Sequence, residues 1–127
     1  MNRLIISEDK NTPEITLDPE SLTFKFWGKS FPENSRKFYQ PVLEWLENYS
    51  PGAGTRIEIG FYFSYLSSSS VIAVLEVLRR IAVWKKNGAV LTVNWNYDED
   101  DEEIKRIGDD YMKILDLPFN FFPLAVE

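Results

Sequence analysis

Apolar positions along this chain change period several times, and each change marks an element. Ile57, Ile59, Phe61 and Phe63 recur at every second residue, the spacing of a strand with one buried face. Val71, Val74, Leu75, Leu78 and Ala82 follow at three- and four-residue steps, the spacing of a helix. Between the two lies Tyr65-Leu66-Ser67-Ser68-Ser69-Ser70. Four hydroxyls therefore fall where a strand ends and a buried helix begins. In open α/β sheets, ligands and chemistry gather at such junctions.

The same pattern extends in both directions. Leu4 to Ile6 predicts a short edge strand, and Asp9 to Pro13 a polar turn. Ile15 and Leu17, then Leu22, Phe24 and Phe26, alternate with polar residues around Asp18-Pro19-Glu20-Ser21, a hairpin over 14–18 and 22–28. Asn34 or Ser35 is suited to cap a helix whose face is Phe38, Val42, Trp45, Leu46 and Tyr49. Pro41 predicts a kink or a late start there, and Ser50-Pro51-Gly52-Ala53-Gly54 a stop.

The helix from about Ser68 to Lys86 is apolar on more than one side, including Ile72, Val77, Ile81, Val83 and Trp84, which predicts burial between neighbours. Asn87-Gly88 is a left-handed cap signal. Ala89 to Tyr97 predicts a strand parallel to the one before the serines. Asp98 to Glu103 then opens a helix with Ile104, Ile107, Tyr111, Ile114 and Leu115 inward. After Pro118, Phe119, Phe121, Phe122 and Leu124 form an apolar tail packed on the domain. The order is β-β-β-α-β-α-β-α: an α/β fold with one mixed sheet, its helices in a single layer or split across both faces.

Composition narrows the chemistry. The 127 residues predict one domain, 1–127, and 44% apolar content predicts a packed core. No apolar run reaches the roughly 18 residues of a membrane span. Residues 1–8 show no signal-peptide core, and with no cysteine a cytoplasmic location is expected. Without histidine or cysteine there is no His-based triad, no thiol nucleophile and no common zinc site. A net charge of −6 with no basic stripe argues against nucleic acid as a partner.

Four features offer candidate chemistry. The serine run supports two readings, which stay open at this level. Serine is a strong N-cap. It is also a phosphoacceptor, and a helix N-terminus favours the added phosphate. Asp98 to Glu103 offers carboxylates for a metal-dependent enzyme, but lacks the glycine and spaced glutamate of a calcium loop and suits a helix start. Asp109 and Asp110 point about 100° apart on a helix and share no pocket. Gly52-Ala53-Gly54 precedes a strand, the wrong order for a phosphate loop. No cofactor or metal is expected.

Three stretches together resemble a known family. Gly28-Lys29-Ser30-Phe31-Pro32-Glu33-Asn34 is similar to its Gly-x-Ser-aromatic-Pro-Glu-Asn segment. Residues 65–70 are similar to its Tyr-Phe-Asn-Thr-Ser-Ser junction, and Val93-Asn94-Trp95-Asn96-Tyr97 with the acidic run to its Val-Asn-Trp-x-Tyr segment. The family is that of the SiaC-type regulatory phosphoproteins. The resemblance implies a fold related to anti-sigma-factor antagonists and a non-enzymatic, partner-switching role. In that scheme a protein kinase phosphorylates the junction hydroxyl and a PP2C-type phosphatase removes it. The unphosphorylated form binds an effector, such as a diguanylate cyclase acting in cyclic di-GMP and biofilm control. The usual acceptor threonine falls on Ser68 and the preceding asparagine on Ser67. Ser67 and Ser69 remain alternative acceptors, and Tyr65, Leu66, Ser67, Ser69 and Ser70 are the implied partner contacts. A constitutive interaction domain whose serines only cap a helix is the remaining alternative.

Overall fold

The computed structural model describes residues 1–126. Its elements are β1 (Leu4–Ile6), β2 (Glu14–Asp18), β3 (Thr23–Ser30), α1 (Ser35–Asn48), β4 (Arg56–Leu66), α2 (Ser68–Lys86), β5 (Val90–Asp98), α3 (Glu102–Leu115) and β6 (Phe119–Leu124). The strands form one sheet in sequence order. β1, β2 and β3 pair antiparallel, while β3 to β6 pair parallel. Each parallel step needs a crossover, and each helix supplies one.

The alternation that predicted the strands also sets their register. Ile6, Ile15, Phe26, Phe61, Trp95 and Phe121 lie side by side across the sheet. Leu4, Leu17, Phe24, Ile59, Val93 and Phe119 form the next row on the same face. The helices cover that face. Phe24 meets Trp45 of α1, Tyr49 at its C-cap and Trp84 of α2, while Trp95 meets Tyr111 of α3. The helices thus form a single layer, with α2 between α1 and α3. Crossovers of one hand, stepping always towards the same edge, produce this arrangement.

The structure departs from the pattern in four places. The tail after Pro118 is a sixth strand, β6, paired with β5. Phe119 and Phe121 turn towards the core, and Pro123 is tolerated because β6 is an edge. α1 does not start late: Asn34 caps it through Lys37 N at 3.0 Å, and Pro41 sits on the solvent side. There the carbonyl that loses its donor can bond water. α2 buries Val74, Val77, Leu78, Ile81 and Trp84, but Ile72 is 66% exposed and Val83 is 46% exposed. Ile114 of α3 is exposed as well, because the outer flank of the last helix has no neighbour. No described helix is long and apolar enough to cross a membrane.

Candidate functional site

The serine junction owes its shape to a bulge. β3 and β4 run in step from Phe24–Ile59 to Gly28–Phe63, then Lys29 faces Tyr65, so Ser64 is the extra residue. Gly28, at φ +130°, takes a backbone conformation that suits glycine, and a side chain there would collide with the Glu8 carboxylate. A bulge re-aims the side chains that follow it. Phe63 is buried, Ser64 and Tyr65 are both exposed, and Leu66 returns to the core. Tyr65 thereby meets the ring of Phe31 edge-on at 5.4 Å, with Lys29 Nζ above Phe31. The Ser67 amide donates to Ser30 O at 2.9 Å, tying the ends of the two strands together.

Beyond the bulge the serines divide by role. Ser67 is the N-cap of α2: its Oγ accepts from the Ser70 amide at 3.2 Å, and its carbonyl accepts from Val71 N. Ser67 Oγ also donates to Ser70 Oγ at 2.9 Å. Ser70 is fully buried and its hydroxyl lies 2.8 Å from that of Ser30, which lies 2.7 Å from Tyr39 Oη. Burial pushes the Tyr39 hydroxyl up to about 12, against the opposing effect of the Ser30 hydrogen bond. Ser69 pairs with Ser35 of α1 at 2.7 Å. Ser68 is exposed, and among the described residues its hydroxyl has no hydrogen-bond partner. The Ser68 and Ser69 amides belong to the first helical turn, where no carbonyl within the helix can reach them.

Two depressions flank this turn. One, of about 470 Å³ between α1 and α2, is walled by Tyr39, Leu43, Ile72 and Ala73, with Glu33 and Glu76 among its charged residues. The other, of about 320 Å³ between α2 and α3, contains Tyr65, Ser68 and Val71, with Asp101 and Glu103 on its α3 side. The acidic run is engaged locally. Asp98 accepts from Tyr62 Oη at 3.0 and 3.2 Å, Asp101 caps α3 through Ile104 N at 3.0 Å, and Glu103 pairs with Arg106. Among the described residues, no three His, Cys, Asp or Glu side chains are grouped to hold a metal ion.

Thus Tyr65, Ser68 and Ser69 reach the surface and Ser67 does so in part. Leu66 and Ser70, implied as partner contacts, are buried: Leu66 by the bulge and Ser70 by its bond to Ser30. Periodicity also did not single out Ser30, Ser35 or Tyr39, which hold the junction from β3 and α1. Ser30 lies inside the Gly28–Asn34 motif, and that was its only signal.

The mixed sheet is backed on one face by three helices, an exposed serine lies at the first turn of the central helix, and the class that matches this chain is one of regulatory phosphoproteins. The family model described as "SiaC family regulatory phosphoprotein" matches residues 6–124, and the chain belongs to that family. A protein of Pseudomonas aeruginosa strain UCBPP-PA14, named only as uncharacterised, is 25% identical over 119 residues, 94% of either chain. The crystal structure of apo-SiaC from P. aeruginosa superposes with a TM-score of 0.83 at 24% identity, over 96% of this chain and 99% of that one. A second crystal structure holds SiaC as the activator of the diguanylate cyclase SiaD, with a TM-score of 0.83 at 24% identity, over 97% and 99%. These likenesses show the fold.

Proposed function

We propose that this chain is a single-domain, non-enzymatic switch of the cytoplasm in which Ser68 is the phosphoacceptor. A protein kinase adds the phosphoryl group, and a PP2C-type phosphatase removes it. The unphosphorylated form binds and regulates an effector, a diguanylate cyclase by analogy with the SiaC that activates SiaD. The observation that carries this reading is the contrast within the serine run: Ser67, Ser69 and Ser70 have bonded hydroxyls, and Ser68 has an exposed, unbonded one.

The physical effect of the modification follows from its position. A phosphate on Ser68 adds about −1.5 to −2 charges at neutral pH. The amides and dipole at the start of α2 favour it, so the helix need not unfold. Asp101 and Glu103 border the same depression, and the net charge is already −6, so local negative potential rises sharply. A partner surface fitted to a small neutral hydroxyl between Tyr65 and α2 then meets a bulky, hydrated dianion. Desolvating that group against the partner weakens docking.

The test compares wild type, Ser68→Ala and Ser68→Asp. Phosphate mapped from cells is expected on Ser68 and absent in Ser68→Ala. In a pull-down with the cyclase, Ser68→Ala should bind like the unphosphorylated protein and Ser68→Asp at least about tenfold more weakly. Stoichiometric phosphate on Ser68→Ala sinks the assignment, and equal affinity of the two variants sinks the switch. Lack of any phosphorylated form in cells favours a constitutive interaction domain.

A further inference from the structure

Ser35, Ser69, Ser67, Ser70, Ser30 and Tyr39 form one continuous run of hydroxyls. The links measure 2.7 Å (Ser35–Ser69), 3.3 Å (Ser69–Ser67), 2.9 Å (Ser67–Ser70), 2.8 Å (Ser70–Ser30) and 2.7 Å (Ser30–Tyr39). Both ends lie on α1, about one helical turn apart. The run is therefore a strap that fastens α1 to the first turn of α2 and closes on itself.

Proton counting sets the direction of the strap from Ser35 through Ser69 and Ser67 to Ser70. Each hydroxyl has one proton to donate. Ser67 gives its proton to Ser70 and accepts the Ser70 amide. Ser70 is linked on to Ser30, and Ser30 to Tyr39, by bonds that either hydroxyl can donate. On the other side Ser69 must donate to Ser67, and Ser35 to Ser69. Ser67 and Ser69 are thus each donor and acceptor at once. Ser68 sits in the middle of the serine run and takes no part.

We infer that this strap selects the phosphoacceptor, with Ser35, Ser30 and Tyr39 as positioning residues. The inference rests on the reading of Ser68 as acceptor. In the transfer, the acceptor oxygen attacks the γ-phosphorus of a nucleoside triphosphate. The bond from that phosphorus to the bridging oxygen breaks, the nucleoside diphosphate leaves, and the hydroxyl proton passes to the kinase base. A strapped hydroxyl has its proton held by one neighbour and its lone pair by another, so it must break both bonds first. Ser68 breaks none. Exposure alone does not make the choice, because Ser69 is exposed as Ser68 is and differs in its bonds to Ser35 and Ser67.

The experiment expresses wild type, Ser35→Ala and Tyr39→Phe in the protein's own host cells. Tandem mass spectrometry then reads the fraction of phosphate on each serine. Both variants remove one oxygen, and circular dichroism checks that the fold is kept. Wild type should carry phosphate on Ser68 alone. Ser35→Ala removes one of the two bonds that hold Ser69 and should raise its share above the wild-type background by roughly three- to tenfold, the effect of one hydrogen bond of ordinary net strength. Tyr39→Phe loosens the far end and should raise the Ser67 share in the same range. A purely structural role for these residues would change stability and leave the site distribution unmoved. An identical distribution in all three proteins overturns the strap's role and leaves Ser68 standing as acceptor. Wild-type phosphate shared evenly among the serines also overturns it. Wild-type phosphate off Ser68 altogether refutes the acceptor reading, and the inference with it.

Discussion

Gly108→Ala should destabilise the protein, although helix propensity taken alone favours it. Gly108 lies inside α3, where alanine is about 1 kcal/mol better than glycine. It is buried against Trp95. A Cβ there would lie 2.6 Å from Trp95 Cδ1 and Nε1 and 2.9 Å from Cε2, all inside ordinary contact. The indole cannot retreat: it is fully buried and ringed by Phe61, Phe63, Tyr111 and Phe119 at centroid distances of 5.6 to 6.2 Å. α3 must instead move outward by about 1 Å to restore contact distances. Overpacking of this kind costs about 1–3 kcal/mol. The same shift strains the bond from Trp95 Nε1 to Ile104 O at 3.0 Å, and loosening a buried bond costs about 1 kcal/mol more. Set against the propensity gain, the net is a loss of about 2 kcal/mol, or roughly 1 M in the urea midpoint. Gly60→Ala is the control. Gly60 lies on the open sheet face, where a Cβ meets nothing closer than Phe24 O at 3.9 Å, so neutrality or a gain of up to about 1 kcal/mol is expected. Urea unfolding of both variants decides the matter. A Gly108→Ala protein as stable as wild type would refute the claim that α3 is seated on Trp95 through this glycine.

Two further outcomes follow from the same contacts. Ser67→Ala removes the α2 cap and the proton donor to Ser70, and should lower stability by about 1–2 kcal/mol in urea unfolding; a loss below a few tenths would mean the strap carries no stability. Alkaline pH should also destabilise the protein, starting where ordinary tyrosines titrate, near pH 10. Burial raises Tyr39 from 10.0 to about 12 and raises Tyr111 as well, so above pH 10 the unfolded chain loses protons that the folded one keeps. Stability is then full below pH 10 and falls as pH rises through 12, on the order of 3 kcal/mol from Tyr39. Unfolding curves from pH 9 to 12 read this, and Tyr39→Phe should remove its share of the slope.

Local periodicity carried most of the fold, and its failures have physical reasons. Strands β2 to β5 read out because one face is buried and the other open, so alternation survives in residues such as Ile57, Ile59 and Phe61. β6 was read only as a tail because Phe121 and Phe122 are adjacent, which breaks alternation in a six-residue strand. Ile72, Val83 and Ile114 were assigned inward because periodicity reports a stripe and not the number of neighbours available to cover it. Leu66 enters only as a partner contact that the resemblance implies, and it is buried because the bulge, a property of two strands together, returns it to the core. The hydroxyl strap was least legible, since Ser30, Tyr39 and Ser70 are brought together only by the packing of β3, α1 and α2.

The Gly28–Asn34 motif and the serine run are best understood as two halves of one device. Gly28 sits on β3 at the last pair before the bulge, Ser30 enters the strap, Phe31 packs on Tyr65, and Asn34 starts α1 so that Ser35 and Tyr39 face the junction. This explains why so unusual a heptapeptide lies forty residues from the acceptor candidate. It also accounts for the serine at 67, where the resemblance places an asparagine. That position is the N-cap of α2, and Asn and Ser are near-equal caps, so the exchange keeps the helix start. What serine adds is a second hydroxyl beside Ser68, a competitor for the same phosphoryl group. The bonds from Ser67 to Ser70, and from Ser70 on to Ser30, absorb that competitor. A chain with serines at all four positions from 67 to 70 can then still present one.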